Sequence, residues 1–178
     1  RFRNVTRVQT CALPIFPDVV ITTNVKKNLT KRAIYLSITI KENPPLLIDS
    51  VAYDGIENIS IDFQKELFQN SVLHRGNRLS TNTFNQEVSR VISLFQNFGY
   101  PLAGFYKDSS FVSRYLSHNK VSVRLHFVAG KQMRFGETTF QISSPTLDTI
   151  ENDVVVKQLD FQKNEFYSLE KREESERN

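Results

Sequence analysis

An internal repeat of 87 residues constrains the fold of this chain more than any single motif does. Ala33–Ile40 alternates apolar and polar residues, and Val121–Phe127 shows the same alternation 87 positions later. A period of two is typical of a strand with one buried face. One offset without gaps also aligns other positions, namely Ile48 with Phe135, Tyr53 with Phe140, Leu67 with Val154, Asn77 with Asn164, Leu79 with Phe166 and Glu87 with Glu174. The sequence therefore predicts tandem copies of one structural unit.

The repeat predicts how the 178 residues are divided. Residues 16–43 are predicted to end one copy, residues 44–131 to form a complete copy, and residues 132–178 to begin a third. Asn43-Pro44-Pro45 forms a stiff junction, because proline fixes its own φ and restricts the residue before it. Ala129-Gly130-Lys131 stands at the equivalent boundary.

Residues 1–15 differ from the rest of the chain and are predicted to be a non-native leader, because residues 5–15 resemble the translation of a sequencing-adapter oligonucleotide. The alternative is a genuine N-terminal extension. Without Arg1, Arg3 and Arg7, Lys+Arg falls from 23 to 20 against 19 Asp+Glu, and the formal net charge falls from +4 to +1. That balance does not favour nucleic-acid binding. The single cysteine, Cys11, also lies in this leader, so the remaining sequence excludes disulfides and thiolate chemistry.

The complete copy is predicted to begin with a strand and a short helix. Leu46–Tyr53 reads as a strand, and the turn-forming pair Asp54-Gly55 closes it. Ser60 or Asp62 can cap the helix that follows, and its apolar spacing continues to about Leu73.

A second helix is predicted after the break at Arg75-Gly76-Asn77-Arg78 and begins near Ser80 or Asn82. Six apolar residues fall on one of its faces: Phe84, Val88, Val91, Ile92, Phe95 and Phe98. Gly99 is placed to end this helix, since Pro101 prevents its continuation.

Two further strands complete the predicted unit. Leu102–Tyr106 begins one that continues past the polar stretch Lys107–Ser110 towards Tyr115. Ser117-His118-Asn119 reads as a turn, and Lys120–Val128 as the last strand. The order strand, helix, helix, strand, strand predicts an α+β fold in which two helices cover one face of a three-stranded sheet.

The sequence offers no chemistry-bearing motif. His74, His118 and His126 are the only histidines, and no two of them have metal-ligand spacing such as HxxxH. No G-x-S-x-G nucleophile elbow and no glycine-rich phosphate loop occur. No apolar run approaches the ~20 residues of a membrane helix. We therefore expect no catalytic residues, no metal site, no cofactor and no enzymatic activity.

The element order and five short segments resemble the POTRA (polypeptide-transport-associated) domain. The segments are Val51-Ala52-Tyr53-Asp54-Gly55, the break at Arg75-Gly76, Phe98-Gly99-Tyr100-Pro101, the run from Val123 to Gly130, and Met133–Phe140 as the first strand of a following domain. The resemblance covers residues 17–178. Among POTRA proteins, the run from Phe98 to Phe105 most resembles the BamA/TamA-like factors of Bacteroidota.

The resemblance implies a periplasmic arm of tandem POTRA modules at the outer membrane of a Gram-negative bacterium. Such an arm precedes a membrane-embedded β-barrel of the same chain, which inserts outer-membrane proteins. The implied partners are unfolded outer-membrane protein precursors and accessory assembly lipoproteins, not nucleic acid. The alternatives are the POTRA region of a two-partner-secretion transporter or division protein and, more remotely, a periplasmic hydrolase or carbohydrate-binding module.

The resemblance also implies a binding site. The second strand of a POTRA module lies at the sheet edge, where an extended peptide can be added as a further strand by β-augmentation. Here that edge consists of Leu102, Ala103, Gly104, Phe105 and Tyr106, with Asp18–Thr23 as its counterpart in the preceding copy. Gly104 is expected to permit close backbone approach. The alternative is that the strand only completes the sheet.

Overall fold

The structure, a computed structural model, describes residues 20–28, 30, 32–41, 44–115, 119–140 and 156–178. The predicted leader at residues 1–15, the strand start at Asp18 and the turn residues Ser117 and His118 lie outside these ranges. The named elements are, in chain order, β1 (Val20–Asn28), β2 (Ala33–Lys41), β3 (Leu47–Asp54), α1 (Ile61–Gln69), α2 (Thr81–Asn97), β4 (Gly104–Phe105), a 3₁₀ turn (Lys107–Ser109), β5 (Phe111–Tyr115), β6 (Lys120–Val128) and α3 (Leu169–Arg177).

β6 is the central strand of the sheet. It pairs in parallel with β3 on one side and antiparallel with β4 and β5 on the other. Its inward side chains alternate with outward ones and are fully buried: Val121, Val123, Leu125 and Phe127. Phe63 and Leu67 of α1 and Val91 and Phe95 of α2 join them in one core. The predicted α+β fold, with helices packed on the sheet, is confirmed.

The helix boundaries follow from local chemistry. The Ser60 side chain accepts a hydrogen bond from the backbone N–H of Phe63, and Ser80 forms a reciprocal capping box with Thr83. Gly99 follows α2 at φ +94°, a conformation that glycine adopts without strain. These predicted starts and this predicted end are confirmed.

The predicted end of α1 near Leu73 is wrong, because the helix ends at Gln69. Asn70 N still donates to Glu66 O at 3.1 Å, but the backbone N–H groups of Val72 and Leu73 donate to side chains. Val72 N donates to Glu87 Oε2 at 2.8 Å, and Leu73 N donates to Ser71 Oγ at 3.2 Å. A carboxylate on α2 therefore ends α1, which spacing within α1 cannot reveal.

Glu87 is a fully buried carboxylate that joins three elements. Its Oε1 accepts hydrogen bonds from the Tyr53 hydroxyl of β3 at 2.5 Å and from Arg90 Nη2 at 2.7 Å. Arg90 Nη2 also donates to the carbonyl of Leu67 in α1 at 2.9 Å. Because a buried charge is tolerated only when it is paired and hydrogen-bonded, this network fixes how α1, α2 and β3 pack together.

The same network sets the protonation of its members. Burial acts to raise the pKa of Glu87, but hydrogen bonds from Arg90, Tyr53 and Val72 outweigh burial and lower the pKa below its ordinary value of 4.5. Burial, together with the Glu87 carboxylate, raises the pKa of the Tyr53 hydroxyl well above its ordinary value.

The contacts that precede α2 recur before α3. Ile48 N donates to Asn77 O, Gly76 N to Ile48 O and Leu79 N to Leu46 O; likewise Phe135 N donates to Glu165 O, Asn164 N to Phe135 O and Tyr167 N to Met133 O. The partners that precede α1, Leu46 and Ile48, lie 87 residues before their counterparts. The partners that follow α1 lie 88 residues before theirs, as Asn77 does before Glu165. The gapless register is therefore wrong beyond this point, and Ser80 corresponds to the α3 cap Ser168.

The prediction that Met133–Phe140 forms a strand is also wrong. Only an isolated bridge between Arg134 and Phe166 occurs there. A strand must pair with another strand to satisfy its backbone hydrogen-bonding groups. β3 pairs with β6, whereas no described strand pairs with residues 133–140. The boundaries at residues 16–43, 44–131 and 132–178 stay a prediction.

The segment after β6 is bound to the end of α2. Gln132 Nε2 donates to Phe98 O at 3.1 Å, and Met133 N donates to Gly99 O at 2.7 Å. Asn97 Oδ1 accepts a hydrogen bond from Glu170 N at 3.0 Å, in the first turn of α3. The connection therefore satisfies carbonyls that the helix end leaves unpaired.

We expect Glu87→Ala to lower the free energy of unfolding by about 3 kcal/mol or more, because Arg90, Tyr53 and Val72 N lose their common acceptor. Asp62→Ala removes an exposed carboxylate that pairs with Lys65 and lies in the first turn of α1, and it should cost about 1 kcal/mol or less. Urea denaturation measures both. Equal losses would show that the buried carboxylate has no special role.

The pH dependence provides a separate check. Because folding lowers the pKa of Glu87, its charge stabilises the native state above the ordinary value, and this contribution is lost as pH falls through the lowered pKa. The stability difference between the parent chain and Glu87→Gln should therefore be largest above about pH 5 and shrink towards pH 3. A difference that stayed constant over this range would contradict the assignment.

Candidate peptide-binding edge

The predicted edge residues lie at one border of the sheet, but only Gly104 and Phe105 form the strand β4. In the antiparallel ladder Gly104 pairs with Val128 and Phe105 with Phe127. Among the described residues no strand lies beyond β4. A Cβ placed on Gly104 would meet no atom within 4 Å, so the sheet face above this glycine is open.

The ladder shows which backbone groups of this border face outwards. Tyr106 N donates to His126 O at 2.9 Å, so Tyr106 directs its polar groups towards β6. Residues of an antiparallel strand alternate in this respect. The N–H and C=O of Phe105 therefore point away from β6. Ala103 N already donates to Tyr100 O at 3.1 Å.

The side chains of the predicted site fall into two groups. Phe105 is half-buried and packs against Phe84 and Phe127, with ring centroids 6.1 and 5.5 Å away. Leu102 and Tyr106, in contrast, are 69% and 55% exposed. Phe105 therefore anchors the border to the core, while Leu102 and Tyr106 are available to a partner.

A short excursion, Lys107–Ser109, separates β4 from β5. Ser110 closes it, because its Oγ accepts a hydrogen bond from His126 N at 2.9 Å and donates to Tyr106 O at 2.8 Å. The predicted continuation towards Tyr115 is present as β5, but the interruption was not predicted. The polar stretch at Lys107–Ser110 was its sequence signal.

The opposite border of the sheet is partly covered. Ile48 of β3 accepts a hydrogen bond from Gly76 N at 2.7 Å and donates to Asn77 O at 2.9 Å. Leu47 forms a bridge with Arg78. These contacts occupy backbone groups at the start of β3, on the side of the sheet opposite β4 and β5.

The hairpin of β1 and β2 has the same pairing as β5 and β6. Asn28 opposes Ala33 in the first hairpin, and Tyr115 opposes Lys120 in the second, each 87 residues further on. β1 is, however, one uninterrupted strand of nine residues. The predicted edge at Asp18–Thr23 thus lies within β1 from Val20 onwards.

Across the described segments, no group of three or more His, Cys, Asp or Glu side chains could hold a metal ion. No helix in those segments is long and apolar enough to cross a membrane.

Comparison with known proteins identifies structural likeness alone. No protein-family model matches the chain, and no curated protein matches it. Among solved structures, BamA POTRA3-5 from Haemophilus influenzae matches with a TM-score of 0.53 and 15% identity, over 90% of this chain and 60% of that one. The N-terminal domain of Omp85 from Thermosynechococcus elongatus matches with a TM-score of 0.41 and 15% identity, over 92% and 63%.

The structural likeness shows that the chain has the POTRA fold. The resemblance read from the sequence is confirmed at that level, while the link to Bacteroidota stays a prediction. The chain spans about 60% of the length of the Haemophilus influenzae structure. At 15% identity the likeness establishes the fold and not the function.

Truncation of the border side chains should show which of them stabilises the fold and which does not. Phe105→Ala removes a half-buried ring from the core and should lower the free energy of unfolding by about 2–3 kcal/mol. Leu102→Ala removes an exposed side chain and should change it by less than about 0.5 kcal/mol. Urea denaturation of both variants measures the difference. A large loss for Leu102→Ala would mean that this residue is structural.

Proposed function

We propose that this chain is a segment of the periplasmic arm of an outer-membrane β-barrel protein assembly factor. Support comes from its likeness to BamA POTRA3-5 and from a sheet border whose backbone groups face outwards at Phe105. In this proposal the arm is a scaffold and not an enzyme. Its partners are unfolded outer-membrane protein precursors, accessory assembly lipoproteins and a β-barrel that belongs to the same chain.

The proposed binding mode is β-augmentation at the border formed by Leu102–Tyr106. An extended precursor segment would exchange hydrogen bonds with the outward N–H and C=O of Phe105. Backbone hydrogen bonding depends little on the side chains of the bound peptide, which suits a site that binds many different precursors. The exposed side chains of Leu102 and Tyr106 supply contacts on either side.

The strength of such binding follows from the number of bonds. Each net hydrogen bond contributes about 0.5–1.5 kcal/mol, and the short strand β4 offers few of them. We therefore propose weak, rapidly reversible binding, in which a precursor is passed on and not retained. One POTRA unit would then make a transient contact, and successive units would act together.

A matched pair of substitutions at Phe105 tests the proposed mode. Phe105→Ala and Phe105→Pro both remove the ring, but only proline also removes the outward N–H. The probe is a synthetic peptide of about ten alternating apolar and polar residues, the length of a barrel strand. We expect Phe105→Pro to bind it at least about threefold more weakly than Phe105→Ala, in an NMR titration of the full chain.

Equal affinities of the two variants would contradict binding through this border. Proline at Ala103 would be a poorer test, because Ala103 N is bonded to Tyr100 O and the substitution would also break an internal turn. Circular dichroism of both Phe105 variants verifies that each remains folded.

A further inference from the structure

We infer that the excursion Lys107–Ser109 interrupts the sheet border and thereby limits the length of a guest strand that can pair with this border. This inference rests on the proposed function and concerns how peptide binding at the same border is limited. Two hairpins of this chain that otherwise pair alike differ at this border. β1 runs without interruption opposite β2, whereas β4 and β5 are separated opposite β6.

The registers show that the excursion is an insertion within a continuous ladder. Phe105 opposes Phe127 and Phe111 opposes Arg124. Between those partners β6 has only Leu125 and His126, whereas the border strand has Tyr106 to Ser110. Tyr106 is bonded to His126. Three residues of the border strand therefore have no counterpart on β6, and Ser110 is the residue that would oppose Leu125 in a regular ladder.

The first hairpin already has that regular arrangement. Thr23 opposes Ile38 in β1 and β2. Ile38 lies 87 residues before Leu125, and Thr23 lies 87 residues before Ser110. Removing the three excursion residues would thus give β4 and β5 the pairing that β1 has.

Ser110 holds the excursion closed. Its hydroxyl takes the place of the direct bond that His126 N and Tyr106 O would share in an unbroken ladder. Ser110 N also donates to Lys107 O at 3.2 Å, which ties the two ends of the excursion together. The interruption is therefore a bonded feature of the fold.

The consequence for a guest strand follows from the alternation of the ladder. Outward groups occur at Phe105 in β4 and next at Val112 in β5, which opposes Val123. The excursion lies between them, and all three of its residues are exposed, with charges at Lys107 and Asp108. Bulges and charges at a sheet border are known means of preventing continuous edge pairing. A guest can pair with β4 or β5 but not with both in one register.

Deletion of residues 107–109 tests this inference. The full-length deletion variant should show a continuous strand from Gly104 to Tyr115, detected as cross-strand NOEs between Ser110 and Leu125. Its affinity for the alternating ten-residue probe peptide should rise about tenfold or more, since each added hydrogen bond contributes a factor of about two to ten. Unchanged affinity in a folded variant with that register would overturn the inference.

A length-matched control separates interruption from charge. Replacing Lys107-Asp108-Ser109 by three glycines keeps the excursion but removes its charges, and its affinity should stay within about twofold of the parent. Ser110→Ala provides a milder test should the deletion variant fold poorly. It should speed amide exchange of His126 and raise peptide affinity. Faster exchange without tighter binding would contradict the proposed role of the excursion.

The outcomes also separate this inference from the proposed function. If Phe105→Pro weakens peptide binding relative to Phe105→Ala in the parent, but deletion of residues 107–109 leaves the peptide affinity unchanged, only the proposed role of the excursion is wrong. If the deletion increases the affinity and Phe105→Pro removes that gain, the proposed role of the excursion is supported. If neither parent nor deletion variant binds through Phe105, the proposed binding mode itself fails.

Discussion

The fold depends on one strand, β6, which is buried on one face and paired on both sides. Val121, Val123, Leu125 and Phe127 supply the inward face that α1 and α2 cover. Because β3 lies parallel to β6, the chain must cross between them, and the two helices are part of that crossover. Gly55 shows how closely the elements pack, since a Cβ there would lie 1.9 Å from Phe127 O. With β3 on one side, the other side of β6 is left to a short and interrupted border.

The polar interior and the open border have opposite roles in the same unit. Glu87 brings β3, α1 and α2 together through bonds to Tyr53, Val72 N and Arg90, and Arg90 extends the network to Leu67 O. The border at Phe105 is held to this core through the rings of Phe84 and Phe127, while its backbone groups face outwards. Ser110 then decides how much of that border is continuous. The proposed scaffold function thus combines a hydrogen-bonded core with an edge whose continuous length is limited.

The sequence predicted features that depend on local pattern. The alternation in Lys120–Val128 matches β6 residue for residue, and Ser80 and Gly99 mark the limits of α2. The sequence did not predict features that depend on residues far away in the chain. Glu87 ends α1 from another helix, and one added residue shifts the repeat from 87 to 88 before α3. At the candidate site, the resemblance to POTRA domains predicted the edge strand, but the role of Ser110 depends on His126, which no local pattern reveals.

Residue-resolved amide hydrogen exchange with and without an unfolded outer-membrane protein precursor tests the central claim most directly. The account predicts slower exchange at the Phe105 amide on binding, while the amide of Val123, which lies within the central strand, does not change. Protection confined to the helical face around the exposed ring of Phe68, with Phe105 unaffected, would contradict a strand-binding border.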